Sequence, residues 1–217
     1  MFAGHVGAAL GIAHGERRVP LGVFVAAALL LDIVLWALVL LGVESVAIPA
    51  DFVARHQPEF EFPYSHGLLA AVAWSVAAGL GLAAWSLRSV DLRAAALVGA
   101  AVFSHWLLDA LVHRPELPLA GAGSPRIGLA LWDRLPLALA IEALIVAAGL
   151  ALYLRGAPLP RGRRLALAAL CLLLTAFTLA GMTLAPAPPS TQAMAGSSLL
   201  TLLVVCALFG WLGKERR

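Results

Sequence analysis

Long runs of apolar residues alternate with short polar or basic segments along the whole chain. An α-helix needs about 20 apolar residues to cross the hydrocarbon core of a membrane. The pattern therefore predicts an all-α fold, a polytopic bundle of about six transmembrane helices that forms one integral membrane domain over residues 1–217. The predicted spans are Leu21–Val43, Gly67–Leu87, Ala94–Val112, Leu135–Leu154, Leu165–Leu184 and Ser197–Leu212.

The first apolar stretch, Phe2–Ala13, is too short to be one of these spans. It has no basic residues ahead of it, as a secretory signal would, and a long apolar span follows Arg17 and Arg18 directly. We therefore expect a short membrane-embedded helix that is retained.

Composition excludes a soluble domain. Hydrophobic residues make up 62% of the chain and charged residues 12%, and the mean hydropathy is +0.93, whereas soluble domains carry about 25% charged residues. The net charge of +3 does not indicate a nucleic-acid partner, because the basic residues are dispersed among loops. Membrane lipid is the expected partner. The two cysteines, Cys171 and Cys206, have no CxxC spacing and are interpreted as buried thiols.

The distribution of Lys and Arg predicts the orientation. Cytoplasmic loops of membrane proteins collect these residues, and alternation of the spans places most of them on one side. We expect a multi-pass protein of the inner (plasma) membrane with a cytoplasmic carboxyl terminus. The residues predicted to be inside are Arg17, Arg18, Arg88, Arg93, Arg155, Arg161, Arg163, Arg164, Lys214, Arg216 and Arg217.

Several ionisable side chains fall inside predicted membrane helices. Each costs about 2.5–3.5 kcal/mol on insertion scales and marks a candidate functional site. The depth of each side chain below the inner membrane surface can be estimated from its distance in sequence to the nearest inner basic residue, at 1.5 Å per residue. Five of them lie about 18–24 Å deep by this count. Two histidines lie about 30–33 Å deep, at the outer mouth. The five are His5, Asp32, His105, Asp109 and Glu142, and the two at the mouth are His66 and His113.

The third span suggests the chemistry of this layer. His105, Asp109 and His113 follow one another at four-residue spacing and share a helical face. Imidazole nitrogen and carboxylate oxygen are common ligands of divalent metals. The predicted spans contain no Lys or Arg, so the buried carboxylates require another cation or protonation. A metal site is favoured, and a proton or ion pathway and a structural hydrogen-bond network remain alternatives.

These residues, in this order, resemble the YdjM-type inner-membrane proteins, which are described as membrane-bound metal-dependent hydrolases. The resemblance covers most of residues 1–155, while the two spans within 156–217 match only in general character. That family is distantly similar to zinc-dependent phospholipase C and nucleases. The resemblance rests on Gly4-His5, Asp32, the segment Tyr64–Gly67, the segment Ser104–Asp109 and His113–Pro115.

The resemblance implies a ligand set and a reaction. One or more divalent ions, zinc by preference and manganese as second choice, would activate a water molecule against a phosphate ester of a lipid or lipid-linked substrate, at a site open toward the outer leaflet. Glu142 or His113 would be the general base or would orient a ligand. A transporter or proton pathway and a non-catalytic assembly protein remain alternatives. The implied metal ligands are His5, Asp32, His66, His105 and Asp109.

Two departures from the family pattern are compatible with a reduced metal complement or with lost activity. The second span has one Asp where two are usual, and His66 is followed by Gly67 where Ser is usual.

Overall fold

The computed structural model describes residues 1–85 and 91–214, which form an all-α bundle with two small hairpins. Within these residues five helices are long and apolar enough to cross a membrane, and the count becomes six, as predicted, if one bent helix pair is taken as a single span. The predicted inner residues Arg88, Arg216 and Arg217 and the span end Leu87 lie outside the described residues. The helices are α1 Phe2–His14, α2 Leu21–Ala28, α3 Leu30–Leu40, α4 Phe52–Arg55, α5 Leu68–Trp85, α6 Leu92–Val112, α7 Leu135–Gly156, α8 Arg161–Thr183 and α9 Thr191–Leu212.

The first predicted span is broken. α2 and α3 meet at Leu29 with a bend of 53°. The break contains neither Gly nor Pro, so the sequence pattern gives no sign of it. The bend determines the position of Asp32, which lies beside it in the first turn of α3.

The last span begins earlier than predicted. α9 starts at Thr191, and the predicted start at Ser197 is wrong. The Ser190 side chain accepts a hydrogen bond from the amide of Ala193, which is the usual contact of a helix-capping serine. The helix therefore includes residues 191–196, which lie ahead of the predicted span.

Both long outer loops contain an antiparallel hairpin. β1 (Ser45–Ala47) pairs with β2 (Glu59–Glu61), and β3 (Leu117–Pro118) pairs with β4 (Arg126–Ile127). Acidic and aromatic residues alternate along β2, which is the period of a strand with one buried face. Phe62 directly follows β2 and is only 2% exposed. The apolar side of this hairpin therefore faces the bundle.

α1 lies against α7 at very short range. A Cβ at Gly7 would be 2.7 Å from the Val146 nitrogen, and one at Gly149 would collide with the carbonyl oxygen of Gly7. Small residues allow such backbone approach between membrane helices. α2 meets α9 in the same way, since a Cβ at Gly22 would be 2.7 Å from Gly210. These contacts hold α1 inside the bundle.

The loops predicted to share a side lie at the same end of the bundle. At the inner end Arg18 bonds to Glu16 and, at 2.8 Å, to Asp91 ahead of α6. The Arg18 hydrogen bonds hold the pKa of the Glu16 carboxyl below its usual value. At the other end Thr191 bonds to the carbonyl of Val46. Which end faces the cytoplasm stays a prediction of the charge pattern.

Candidate metal centre

Four separate segments bring the predicted ligands together. α3 carries Asp32, the turn before α5 carries His66, and α6 carries His105 and Asp109 one turn apart on its inward face. α1 carries His5. All five side chains meet in one cluster, as the common depth of four of them and the family resemblance had suggested.

Four ligand atoms of this cluster lie close together around the two imidazole Nε2 atoms. His66 Nε2 lies 3.2 Å from His105 Nε2, 3.5 Å from Asp32 Oδ1 and 3.4 Å from Asp109 Oδ2. His105 Nε2 lies 3.6 Å and 3.2 Å from the same two oxygens. A tetrahedral ion with bonds of 2.0–2.1 Å sets its ligand atoms about 3.3–3.4 Å apart. Within this group Asp32, His66 and His105 form a triad that could hold a metal ion.

The hydrogen bonds behind the two imidazoles determine where their lone pairs point. His105 Nδ1 is 2.6 Å from the carbonyl oxygen of Ala28, which can only accept, so this nitrogen donates. His66 Nδ1 is 2.9 Å from Ser65 Oγ. The Ser65 hydroxyl donates to Glu44 Oε2 at 2.7 Å, so its oxygen accepts from His66. In the neutral rings both Nε2 atoms are then left with a free lone pair, as metal ligation requires.

Glu44 is a supporting residue that sequence reasoning missed. Its Oε1 accepts from the amides of Tyr64 and Ser65 at 2.8 and 2.9 Å, and its side chain is buried. The hairpin of β1 and β2 brings it to His66 across more than twenty residues of loop. Local sequence carries no signal for that contact, because it depends on the pairing of two short strands.

His5 lies beside the four-atom group. Its Nε2 is 3.2 Å from Asp109 Oδ1, and its ring stacks on His105 with centroids 3.6 Å apart. The nitrogen of Met1 donates to the same oxygen at 3.0 Å. Asp109 therefore has a cationic partner that is neither Lys nor Arg. His5, His105 and Asp109 form a second triad that could hold an ion. His105 Nε2 has one lone pair, so it can serve only one of the two triads at a time.

The two predicted proton-transfer residues occupy different positions. Glu142 is buried, and its Oε1 accepts from the amide of Gly4 at 2.9 Å, one of the free amides at the start of α1. His113 Nε2 lies 3.8 Å from Asp109 Oδ2. The His113 ring packs on Trp132 at 4.3 Å, and its Nδ1 has no hydrogen-bond partner within the described residues.

A cavity of about 580 Å³ lies over the cluster. Asp32, His66 and Asp109 of the cluster line it, together with His113 and Glu142. No Lys or Arg is among the described residues that line it. α8 and α9, outside the part of the chain that carries the family resemblance, supply one wall. The larger apolar side chains around the cavity are Leu35, Trp36, Phe60, Phe62, Trp132, Phe177, Met182, Met194 and Leu202.

The polar residues near the outer mouth divide into two groups. Arg114 pairs with Asp133 at 2.7 Å and Arg126 with Glu61 at 2.9 Å, so these two guanidinium groups already have acidic partners. His56 is half-buried and lines the cavity. No protein-family model, no curated protein and no solved structure matches this chain. Interpretation of the site therefore rests on its geometry and on the residue resemblance.

Proposed function

We propose that this protein is a membrane-bound, metal-dependent hydrolase that cleaves a phosphate ester in a lipid or lipid-linked substrate, at a site open toward the outer leaflet. One observation carries the proposal. Two imidazole lone pairs and two carboxylate oxygens face each other at 3.2–3.6 Å in a buried place. Four acceptors at that range repel one another unless a cation lies among them or the imidazoles carry a second proton, and a cation is the case that we propose. The YdjM-type resemblance supports the same function.

Zinc is the metal that this group of ligands fits best. Two imidazoles and two carboxylates suit zinc, with manganese as second choice. An octahedral ion with bonds of 2.0–2.1 Å would set neighbouring ligand atoms about 2.9 Å apart, and the five distances within the group are all longer, at 3.2–3.6 Å. Since His105 can serve only one ion, we expect one ion per chain. His5 then holds Asp109 in place from behind.

The ion would supply a water molecule of lowered pKa and a positive charge for the phosphate oxygens. In the reaction the water oxygen bonds to phosphorus, the phosphorus–oxygen bond to the alcohol breaks, and the alcohol leaves with a proton. Asp32, His66 and Asp109 all border the cavity, whereas His105 is fully buried behind them. Four protein ligands alone would close a tetrahedral site, so the water would bind as a fifth ligand on the cavity side of the ion.

His113 is the better placed group for proton transfer. Its ring lies at the cavity near Asp109, and its Nδ1 is free of hydrogen bonds in the described structure. Glu142 borders the same cavity but also anchors the start of α1 through Gly4. We assign proton transfer to His113 and the positioning of α1 beside the cluster to Glu142.

The test is hydrolysis of phospholipids in mixed micelles by zinc-loaded protein, before and after chelation. We expect chelation to abolish release of the head group and zinc to restore it. His113→Gln should lower turnover by on the order of 10²–10⁴-fold while the zinc content is retained, and His14→Ala, an exposed histidine at the far end of α1, should change neither. Hydrolysis that persists after complete removal of the metal would contradict the proposal.

A proton or ion pathway is the second candidate, and the bend at Leu29 favours it. Broken helices commonly hold ions in transporters, and Asp32 follows this break directly. The inner half of the bundle argues against a through path, because Leu10, Phe24 and Leu29 are fully buried beneath the cluster. A pathway would predict proton or cation flux in proteoliposomes that Asp32→Asn abolishes.

A further inference from the structure

One hydroxyl in the membrane helices differs from its neighbours. Thr175 and Thr183 on α8 and Thr201 on α9 each donate to the carbonyl four residues earlier in their own helix, at 2.7–2.9 Å. This is the usual contact of a hydroxyl inside a helix. Thr178 on α8 is only 9% exposed, and its hydroxyl has no hydrogen-bond partner within the described residues.

Thr178 lies where a ligand would pass. It lines the main cavity together with the cluster residues, and it also lines a small neighbouring pocket beside Glu142. A buried hydroxyl without a partner is costly, and a ligand that accepts a hydrogen bond would remove that cost. Its position indicates contact with a polar group of the substrate other than the one at the metal.

The wall that contains Thr178 is formed by two helices that are long and apolar enough to cross a membrane. Phe177, Gly181 and Met182 on α8 and Ser198 and Leu202 on α9 line the cavity between two membrane-spanning helices. Phe177 is 55% exposed, whereas His66 and Asp109 at the cluster are buried. A volume of about 580 Å³ falls within the range of roughly 300–1,000 Å³ typical of small-molecule sites. The shape suits a polar group at the cluster and a hydrocarbon chain between the helices.

The charge of the cavity limits the polar group. Asp32, Asp109 and Glu142 face it, and no Lys or Arg is among the described residues that line it. A doubly charged phosphate monoester would have only the metal and the Met1 nitrogen to balance it. A phosphodiester carries a single negative charge and fits this surrounding better.

We propose that the substrate is a glycerophospholipid that enters sideways between α8 and α9. Its phosphodiester binds at the metal, its acyl chains lie in the gap between the two helices, and an acyl-ester carbonyl accepts a hydrogen bond from Thr178. The proposal rests on the hydrolase function proposed above and names the substrate class of that site. A prenyl phosphate has no carbonyl for Thr178 to bind.

The hydrogen bond is tested by matched lipids. Zinc-loaded protein is titrated in detergent with dioleoyl phosphatidylglycerol and with its dialkyl ether analogue, which lacks both ester carbonyls. The wild type should bind the diacyl lipid about fivefold to tenfold more tightly, the size of one hydrogen bond. Thr178→Val should bind both lipids equally, while Thr183→Val should keep the preference. Equal binding of the two lipids by the wild type would overturn the assignment of Thr178.

The lateral entry is tested by filling the gap. A side chain at Gly181 or Gly196 would meet open space, but only Gly181 lines the cavity. Gly181→Trp should abolish binding of the diacyl lipid and leave the zinc content unchanged, and Gly196→Trp should leave both unchanged. Lipid binding that survives in Gly181→Trp, or inorganic phosphate that competes as well as the lipid does, would overturn the proposal. Zinc-free wild type would instead overturn the hydrolase function itself.

Discussion

At the scale of single residues, the orientation of His66 depends on a chain of hydrogen bonds. Glu44 accepts from the Ser65 hydroxyl at 2.7 Å, and Ser65 accepts from His66 Nδ1 at 2.9 Å. The chain fixes which imidazole nitrogen carries the proton and directs the other toward the cluster. Residues in this role typically change metal affinity by about 10–100-fold when they are replaced.

Ser65→Ala is therefore expected to raise the dissociation constant for zinc by about 10–100-fold, because His66 loses the acceptor that holds its Nδ1 proton. Competition with a chromophoric chelator measures this constant. Ser75→Ala is the matched control, since within the described residues the Ser75 hydroxyl bonds to the carbonyl of Ala71 in its own helix. Unchanged affinity in Ser65→Ala would show that the hydrogen-bond chain does not orient a ligand.

Much of the cluster could be predicted at this scale, and the reason is geometric. The rise of an α-helix is fixed, so distance from a basic residue at the membrane surface places His5, Asp32, His105 and Asp109 in one layer. Glu44 could not be found in this way, because its contact with Ser65 depends on a hairpin between distant segments. The Met1 nitrogen could not be predicted from the positions of Lys and Arg, because it is a backbone amine.

At the scale of elements, the contact between α1 and α7 holds His5 in the cluster. Gly7→Ala should destabilise the protein, by about 1–3 kcal/mol as for other overpacked sites, because the new Cβ would lie 2.7 Å from the Val146 nitrogen. Thermal unfolding in detergent measures the loss. Gly81→Ala is the control, since a Cβ there meets nothing within 4 Å. An unshifted midpoint for Gly7→Ala would mean that the two helices do not approach so closely.

The bend between α2 and α3 shows where an apolar pattern stops being informative. Residues on both sides of Leu29 are good membrane-helix formers, and periodicity alone predicts one straight span. The carbonyl of Ala28, next to the break, instead accepts from His105 Nδ1. The break between α2 and α3 thus lies next to the carbonyl that orients the candidate ligand His105.

At the scale of the whole molecule, the loops at each end of the bundle carry different charges. The contacts of Arg18 with Asp91 and of Thr191 with Val46 confirm which loops share an end. The excess of Lys and Arg at one end predicts that this end is cytoplasmic. A reporter fused after Arg217 should read cytoplasmic, and one inserted within Gly121–Ser124 should read external. An external signal from the carboxyl-terminal fusion would place the cavity on the cytoplasmic side.

The whole bundle also builds the cavity, which sequence could not predict. The family resemblance and the intramembrane ionisable residues all lie within residues 1–155. The sequences of the last two spans have only the general character of membrane helices. Their role depends on how α8 and α9 lie across the cluster, which is decided by tertiary packing. Phe177, Met182 and Leu202 line the cavity as a result.

The central claim is that a metal ion sits between His66, His105, Asp32 and Asp109. Its most direct test is the metal content of protein purified without chelator, measured by inductively coupled plasma mass spectrometry. We predict close to one zinc ion per chain in the wild type. His105→Ala and Asp109→Ala should each lose most of the zinc and unfold at a lower temperature. His14→Ala should change neither the zinc content nor the unfolding temperature. Metal-free wild type, with His105→Ala as stable as its parent, would contradict the claim.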